Sequence, residues 1–461
     1  MSMQIERFYL GCLAHASYLV YDSGEAAVID PQRDVTIYIE RAAELGVKIR
    51  WIIETHLHAD FVSGHLELAQ DTGATICIGA GSGATFAHRD LRDGDEISLG
   101  TATLQAISTP GHTEESICIV ASEAGSPKAA FTGDTLFIGD VGRPDLSPTK
   151  TPEQLAAMLY DSLHNKVLTL PGETIVYPAH GAGSLCGRSM SNDASSTIAR
   201  EQRTNYALQP MTQDAFVHLL TGDLPPRPAY FQDEVARNRA GAAPLEDLPP
   251  VAELSPAEVE KLQADGAVVL DTRPWAQFAA AHIPGSINIA LAGQFASWAA
   301  RMLGISTGHV VLVAEDHAAV LEARMRLARV GLESVAGSLA GGIMSWIDAG
   351  RAVSEVDQIP AAEVSDWLEA DPQQRTLLDI RETSEYDHGS IPGAINIPLP
   401  ELEQHLAGLN HDTPTAVHCR GGYRSAIAAS MLQAAGFKDV INVTGGYDAW
   451  ALAHPAPAHS V

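Results

Sequence analysis

The chain has 461 residues, enough for about three domains of ordinary size. Its 29 Lys and Arg against 57 Asp and Glu give a formal net charge of −28, which repels nucleic-acid backbones and anionic lipid. The five cysteines show no spacing typical of a disulfide framework. The sequence has neither an export signal nor an apolar run long enough to span a membrane. We therefore expect a cytoplasmic protein that binds neither nucleic acid nor membrane.

Apolar, β-rich runs alternate with loops carrying His and Asp through the first half of the chain. Between residues 26 and 180 they are AAVID, RWIIETH, ATICIG, ATLQAIST, SICIV, AAFTGD and TIVYPAH. A helix pattern, FVSGHLELAQDTG, follows the second run. Strand ends in a layered α/β fold converge on one edge, so we expect chemistry to gather there.

Four of these strand ends carry potential metal ligands. They are His56, His58 and Asp60 in THLHAD, His112 in TPGH, Asp134 in TGD and His180 in YPAH. A single histidine is most often a surface or core residue. The shared placement of these side chains at strand ends predicts a metal site.

On these residues, about 5–240 of the chain resemble the metallo-β-lactamase superfamily, an αββα sandwich. Hydrolases of that superfamily, such as glyoxalase II, carry a His-x-His-x-Asp-His run whose last histidine helps to hold a second metal. In the corresponding THLHADF, Phe61 takes the place of that histidine. A phenyl ring cannot donate to a metal, so we expect the second metal position to be lost.

Two further segments, FTGDTLFIGDVGRPDL (131–146) and YPAHGAGSLCG (177–187), make the first half similar to the persulfide dioxygenases. The resemblance implies one Fe(II) per chain, held by His56, His112 and Asp134. It leaves His58, Asp60 and His180 to orient ligands or substrate. A face of two histidines and one carboxylate leaves room for a persulfide sulfur and O2.

Two residues near this region have open interpretations. Arg143 either anchors the anionic tail of a thiol carrier or forms a salt bridge with Asp140 or Asp145. Cys186 lies close to a site of sulfur chemistry, but a free cysteine is most often a small buried hydrophobe, and we expect that here.

A repeat organises the second half. VVLDTRPWAQFAAAHIPGSINIAL from Val268 matches LLDIRETSEYDHGSIPGAINIPL from Leu377, and AGGIMSWIDAG matches TGGYDAWALAH. Strand, helix and turn patterns in each copy predict two tandem α/β domains with parallel sheets. With a Pro-rich linker at 240–259, the predicted domains are 1–245, 253–355 and 360–461.

The last copy contains a cysteine loop, in AVHCRGGYRSAIAASMLQAAG. A strand ends at Cys419, and a helix is expected from about Ser425. The N–H groups of the Gly-rich turn, with Arg420 and Arg424, should stabilise a thiolate or persulfide. With DIR, IPGAINIP and TGGYDAW, the segment is similar to the rhodanese sulfurtransferases, which implies that Cys419 accepts and passes on a sulfur atom. Related phosphatases use a loop one residue longer, so sulfur transfer is favoured.

The middle copy lacks this nucleophile. Aligning VVLVAEDHAAVLEAR with TAVHCRGGYRSAIAA puts Ala314 at the cysteine position and the acidic Glu315 and Asp316 where an anion cradle would lie. We expect this domain to be catalytically inactive.

The whole order resembles bacterial persulfide dioxygenase–rhodanese fusions of sulfide detoxification. The implied chemistry is oxidation of a thiol persulfide, of glutathione or coenzyme A type, by O2 to sulfite, with thiosulfate formed through Cys419. One alternative is a zinc thioester hydrolase of glyoxalase II type fused to a rhodanese, and another is a non-catalytic sulfur carrier or sensor. The thiol, the direction of sulfur transfer and the oligomeric state, a homo-oligomer included, stay open.

Overall fold

The computed structural model describes residues 2–222, 224–305, 307–372 and 374–454. The end of the last predicted domain, 455–461, lies outside the described residues. The chain divides into two compact units, Met1–Pro249 with Leu327–Leu332, and Pro250–Arg326 with Glu333–Val461. No helix in the described ranges is long and apolar enough to cross a bilayer.

Two six-stranded sheets build the first unit. One contains β1 (Gln4–Leu10), β2 (His15–Asp22), β3 (Glu25–Ile29), β4 (Lys48–Glu54), β5 (Thr75–Gly79) and β6 (Arg89–Leu91), in that spatial order. The other contains β7 (Glu96–Leu99), β8 (Ala102–Ser108), β9 (Ile117–Glu123), β10 (Ser126–Gly133), β11 (Ile175–Pro178) and β12 (Ser196–Thr197). Its strands are also neighbours in chain order, from β7 to β12.

Helices cover the outer faces of the two sheets. The unit contains α1 (Thr36–Leu45), α2 (His65–Thr72), α3 (Pro152–Asn165), α4 (Ile198–Thr204), α5 (Gln213–Thr221) and α6 (Phe231–Ala240). Side chains alternate along β2, so Tyr18 packs with Phe131 between the sheets, while Leu19 packs with Tyr38 of α1 on the outside. On the second sheet, Leu159 of α3 joins the outer core. The αββα sandwich expected from the resemblance is confirmed.

The second unit contains two five-stranded parallel sheets. The first has β13 (Glu253–Leu254), β14 (Val268–Asp271), β15 (Ile287–Asn288), β16 (Val310–Val313) and β17 (Val335–Leu339), in the order β13-β17-β16-β14-β15. Its helices are α7 (Pro256–Ala264), α8 (Trp275–Ala280), α9 (Phe295–Leu303), α10 (His317–Ala328) and α11 (Gly342–Asp348).

The second sheet of this unit repeats the same topology. It has β18 (Asp357–Pro360), β19 (Thr376–Asp379), β20 (Ile395–Asn396), β21 (Thr415–His418) and β22 (Val440–Thr444), in the order β18-β22-β21-β19-β20. Its helices are α12 (Val364–Ala370), α13 (Thr383–Asp387), α14 (Leu402–His405), α15 (Tyr423–Ala434) and α16 (Gly446–Ala453). The expectation of two α/β domains with parallel sheets is confirmed.

The repeated sequence is explained by one buried hydrogen-bond pattern. In the last copy, Arg381 holds Asp379 through Nε and Nη2, at 2.9 and 2.6 Å, and Asn396 donates to the carbonyl oxygens of both. Arg273, Asp271 and Asn288 make the same contacts in the middle copy. The DxR and IN motifs thus fix the edge of each sheet.

Candidate functional site

A metal-binding geometry forms where strands of the two sheets of the first unit end. His56 lies just after β4, Asp134 just after β10, and His112 in the loop between β8 and β9. Oδ2 of Asp134 lies 3.3 Å from Nε2 of His112 and 3.7 Å from Nε2 of His56. The three ligand atoms lie within 4.8 Å of one another, and all three residues are buried. The structure therefore brings together the three residues that the resemblance assigned as ligands.

The remaining polar atoms of both histidines are occupied in ways that suit metal ligation. Nδ1 of His112 donates to the carbonyl oxygen of Arg143 at 3.0 Å. Oγ1 of Thr55 donates to Asp30, so it accepts from Nδ1 of His56, 3.0 Å away. The two Nε2 atoms and Oδ2 of Asp134 have no hydrogen-bond partner among the described residues. Hydrogen bonds at the far nitrogen fix the tautomer that leaves Nε2 free for a metal.

Electrostatics agree with this arrangement. Burial lowers the pKa of His56 and of His112, which keeps both imidazoles neutral. Burial opposes ionisation of Asp134, but the positive charge of His180 and its hydrogen bond to the carboxylate outweigh burial and hold the pKa of that carboxyl well below its usual range. Two neutral imidazoles and one carboxylate are a donor set suited to Fe(II).

His180 and Asp60 form a chain of contacts behind Asp134. Nδ1 of His180 donates to Oδ1 of Asp134 at 2.8 Å, and its Nε2 lies 2.9 Å from Oδ2 of Asp60. Cys186 is buried beside this pair, and burial raises the pKa of its thiol well above the usual range. Cys186 is a buried thiol, as the sequence led us to expect.

His58 is directed away from the three ligand atoms. Its Nε2 lies 3.2 Å from Oδ1 of Asp30 and 3.2 Å from Oε2 of Glu54. Burial opposes protonation, but the two carboxylates raise the pKa of His58 to about 10. His58 joins the strands beneath the site instead of lining it. Glu54 is the last residue of β4 and Asp30 directly follows β3, and this position at a strand end was the signal that could have identified them.

Phe61 occupies the space beside His58 and His180. Its ring centroid lies 4.4 Å from that of His58 and 4.0 Å from that of His15, a fully buried histidine that the sequence reading missed. Both nitrogens of His15 lack a partner among the described residues, and burial lowers its pKa. An apolar ring therefore fills a pocket that is otherwise walled by imidazoles.

Arg143 makes a salt bridge, one of the two interpretations that the sequence left open. Its Nε and Nη2 contact Asp145 at 2.6 and 2.8 Å, and its Nη atoms also donate to the carbonyls of Leu185 and Pro225. The side chain is only 7% exposed. These contacts direct the guanidinium into the loops, which argues against its use as an anchor for a thiol carrier.

A cavity of about 590 Å³ lies next to the candidate metal ligands. Ala59 and Thr113, which adjoin His58 and His112 in the chain, are part of its wall. Arg227 and Arg239, from the region around α6, also line it. The sequence reading missed both arginines because they lie outside any local motif.

The cysteine loop of the last domain has the geometry of an anion cradle. Cys419 follows β21 and is 2% exposed, and the backbone N–H of Gly422 donates to its Sγ at 3.0 Å. Helix α15 begins at Tyr423, two positions before the predicted Ser425, because Gly422 with φ 115° starts the helix. A Cβ on Gly446 would lie 2.4 Å from the Cys419 carbonyl oxygen, which explains the Gly in TGGYDAW.

The two arginines of the loop differ in their surroundings. Arg424 binds Glu385 of α13 with both Nη atoms, at 2.6 and 2.9 Å, and this bidentate pair fixes the start of α15 to α13. Arg420 is exposed and its Nε contacts Asp448 at 3.2 Å. Only Arg424 is held at the base of the loop.

The middle domain carries no equivalent nucleophile. Val313 pairs with Asp271 as His418 pairs with Asp379, so Ala314 takes the place of Cys419 in the structure as in the alignment. A methyl group cannot hold a sulfur atom, which agrees with the expected inactivity.

Known proteins match both halves of the chain. Residues 10–180 match the metallo-beta-lactamase superfamily, and residues 255–349 and 360–453 each match the rhodanese-like domain. The chain belongs to the metallo-beta-lactamase superfamily and continues into two rhodanese-like domains.

Individual relatives of the first half indicate where it belongs within the metallo-beta-lactamase superfamily. The chain is 34% identical over 258 residues to a probable metallo-hydrolase of Burkholderia pseudomallei (strain 1710b), covering 48% of this chain and 85% of the relative. It is 33% identical over 230 residues to the mitochondrial persulfide dioxygenase ETHE1 of Bos taurus, covering 48% of this chain and 82% of that protein. The crystal structure of a metallo-beta-lactamase from Staphylococcus aureus subsp. aureus COL aligns with TM-score 0.66 and 30% identity, over 73% of this chain and 99% of that one. The first half is thus homologous to persulfide dioxygenases.

Proposed function

We propose that the protein is a cytoplasmic persulfide dioxygenase fused to a sulfurtransferase, and that it acts in sulfide detoxification. Residues 1–245 oxidise a low-molecular-weight thiol persulfide, of glutathione or coenzyme A type, with O2. One Fe(II) per chain is held by His56, His112 and Asp134. Residues 360–461 transfer sulfur through Cys419, and residues 253–355 are catalytically inactive.

One observation carries the oxygenase proposal. Nε2 of His56, Nε2 of His112 and Oδ2 of Asp134 are buried, face one another and have no partner among the described residues. Buried polar atoms are nearly always paired, so this cluster favours a bound cation. The aromatic ring of Phe61 next to Asp60 and His180 favours one metal over two.

Fe(II), when bound, supplies the redox chemistry that lets O2 oxidise the outer sulfur of the persulfide. One thiol persulfide, one O2 and one water give one thiol and one sulfite, so atoms and electrons balance. The chain orients the ligands through Arg143 and Thr55, and through His180, which donates to Asp134. The cavity of about 590 Å³ holds the thiol carrier, whose anionic groups pair with Arg227 and Arg239 in place of Arg143.

Sulfur transfer is assigned to the cysteine loop. Cys419 holds an outer sulfur as a persulfide, whose charge the N–H of Gly422 stabilises. Sulfite then attacks that sulfur, the S–S bond breaks with its electron pair left on Sγ of Cys419, and thiosulfate leaves. The reaction needs no external oxidant.

A zinc thioester hydrolase is the second candidate, because the probable metallo-hydrolase is a relative of similar identity. Assays of the chain loaded separately with Fe(II) and Zn(II) distinguish the two, with glutathione persulfide and S-lactoylglutathione as substrates. Our proposal expects O2 uptake with the persulfide only in the Fe(II) form. Thioester cleavage by the Zn(II) form without O2 uptake by the Fe(II) form would refute it.

A non-catalytic carrier with a structural metal domain is tested by His112→Ala. If the metal only supports the fold, this variant unfolds. We expect a folded chain, by circular dichroism, that has lost O2 uptake.

A further inference from the structure

Helix α6 forms one wall of the cavity beside the proposed metal ligands. Four of its residues are spaced so that they share one face of the helix, and all four line the cavity: Phe231, Gln232, Val235 and Arg239. Ala59 also lines it, from residues 58–63, which we call the metal-site loop. The cavity therefore has walls from α6 and from the metal-site loop.

Asn238 joins α6 to the metal-site loop. Its Nδ2 donates to the carbonyl oxygens of His58 and Phe61, at 2.8 and 2.7 Å. Its Oδ1 accepts from the backbone N–H of Ser63 at 2.9 Å. The side chain is only 1% exposed, so water does not compete for these bonds. One amide group on α6 thus holds both ends of the loop.

The metal-site loop is connected to a proposed metal ligand through side chains. The loop contains Asp60, whose Oδ2 lies 2.9 Å from Nε2 of His180. Nδ1 of His180 in turn donates to Oδ1 of Asp134 at 2.8 Å. A shift of the loop therefore moves Asp60 and, through His180, the carboxylate of Asp134.

Arg239, the residue after Asn238, is available to a ligand in the cavity. Its Nε donates to the carbonyl oxygen of Ser82 at 3.3 Å, and no carboxylate in the described ranges pairs with its guanidinium. Arg143, in contrast, is already paired with Asp145. An unpaired guanidinium in a cavity wall suits the anionic groups of the proposed thiol carrier. Two consecutive residues of α6 therefore serve the cavity and the metal-site loop.

We propose that Asn238 is a positioning residue that links binding of the thiol carrier to binding of iron. The inference rests on the proposed function, in which the carrier lies in this cavity and the chain holds one Fe(II). A carrier held by Arg239 orders α6, and Asn238 extends that order to the metal-site loop. Iron needs the same loop in place, so each ligand reduces the ordering cost that the other must meet. By linkage, carrier and iron raise each other's affinity by the same factor.

The test uses carrier analogues without sulfur, because a thiol could bind iron directly and raise its affinity in another way. Ophthalmic acid is the sulfur-free counterpart of glutathione, and desulfo-coenzyme A is that of coenzyme A. Titration calorimetry with the metal-free full chain identifies the analogue that binds. Iron retained against a graded series of chelator concentrations without oxygen, with and without that analogue at saturation, then gives the linkage as a ratio of iron affinities.

We expect the analogue to raise the iron affinity of the unmodified chain about fivefold and that of Asn238→Ala by a factor of about one. Asn238→Asp keeps the volume and the acceptor for Ser63 but has no N–H for the two carbonyls. Its ratio should also be about one, which tests the linkage even if Asn238→Ala does not fold. Asn205→Ala is the control, because it removes another buried amide of the same unit, whose Nδ2 donates to the carbonyl oxygen of Asp140. Its ratio should equal that of the unmodified chain.

The ratio distinguishes linkage from a purely structural role of Asn238. An asparagine that only supports the fold would lower iron affinity equally with and without the analogue. An unchanged ratio in the Asn238 variants, or no rise in the unmodified chain with the analogue bound, overturns the linkage alone. Failure of both analogues to bind the metal-free chain contradicts the carrier site of the proposed function, on which the linkage rests.

Discussion

His180 donates Nδ1–H to Oδ1 of Asp134 at 2.8 Å, and this bond leaves Oδ2 of the same carboxylate facing His56 and His112. His180 thus determines the direction in which Asp134 presents Oδ2. Burial opposes protonation of His180, but the negative charges of Asp134 and Asp60 raise the pKa of His180 well above its usual range. We therefore expect His180 to position Asp134, one of the proposed metal ligands.

His180→Gln should therefore weaken metal binding without removing a ligand. The loss of an oriented hydrogen bond to a ligand lowers metal affinity by about 10- to 100-fold. Iron retained during dialysis against a graded series of chelator concentrations measures the effect. His218→Gln, at an exposed position of α5 in the same unit, is the control. Equal iron retention by both variants would show that His180 does not position Asp134.

Phe61→His should restore a second metal position. The new imidazole would lie near Asp60 and His180, and zinc bound after reconstitution should rise from about one to about two per chain. An imidazole in this buried place without metal should destabilise the fold by roughly 1–3 kcal/mol. Zinc content and urea unfolding measure the two effects. Phe61→Leu adds no donor and is the control. If Phe61→His binds no more zinc than Phe61→Leu, the prediction is contradicted.

Cys419→Ser should abolish sulfur transfer from thiosulfate to cyanide. O2 uptake with glutathione persulfide should be retained, because the proposed metal ligands lie in the other compact unit. An oxygen electrode and a thiocyanate assay on the same preparation measure both. Loss of both activities together would mean that the two sites do not work independently.

Arg424→Lys should reduce sulfur transfer more than Arg420→Lys. Lysine cannot replace the bidentate contact of Arg424 with Glu385, whereas the exposed pair of Arg420 with Asp448 contributes little. We expect a fall in kcat/KM of about tenfold or more for Arg424→Lys and of about twofold for Arg420→Lys. Equal losses would mean that Arg420 also acts on the bound sulfur.

Much of the metal site could be predicted from the sequence, because its residues follow apolar strands. His56, His112 and Asp134 follow β4, β8 and β10 in the chain. Strands β8 and β10 are both antiparallel to β9, which lies between them, so they run in the same direction and end at the same edge of their sheet. Strand β1 (Gln4–Leu10) was not predicted from the sequence. It is an edge strand whose side chains are only partly buried, so its sequence has no long apolar run. The helix in FVSGHLELAQDTG begins only at His65, with Gly64 as its N-cap. A Cβ at Gly64 would lie 2.5 Å from the carbonyl oxygen of Gln32, so this position requires glycine.

Side-chain direction was harder to predict than position. Arg143 follows Asp134 by nine residues and Arg420 adjoins Cys419, yet Asp145 and Asp448 determine where the two guanidinium groups point. The wall of the cavity beside the candidate metal ligands could not be predicted either, since Arg227 and Arg239 line it from a segment that carries no motif. Such contacts depend on the packing of whole elements.

We propose that a single iron couples oxidation of a persulfide to consumption of O2. The most direct test reconstitutes the full chain with Fe(II) without oxygen, determines metal per chain, and then measures O2 uptake and sulfite on addition of glutathione persulfide. We predict about one iron per chain and one sulfite for each O2 consumed. Two zinc ions per chain, with thioester hydrolysis and no O2 uptake, would contradict the account.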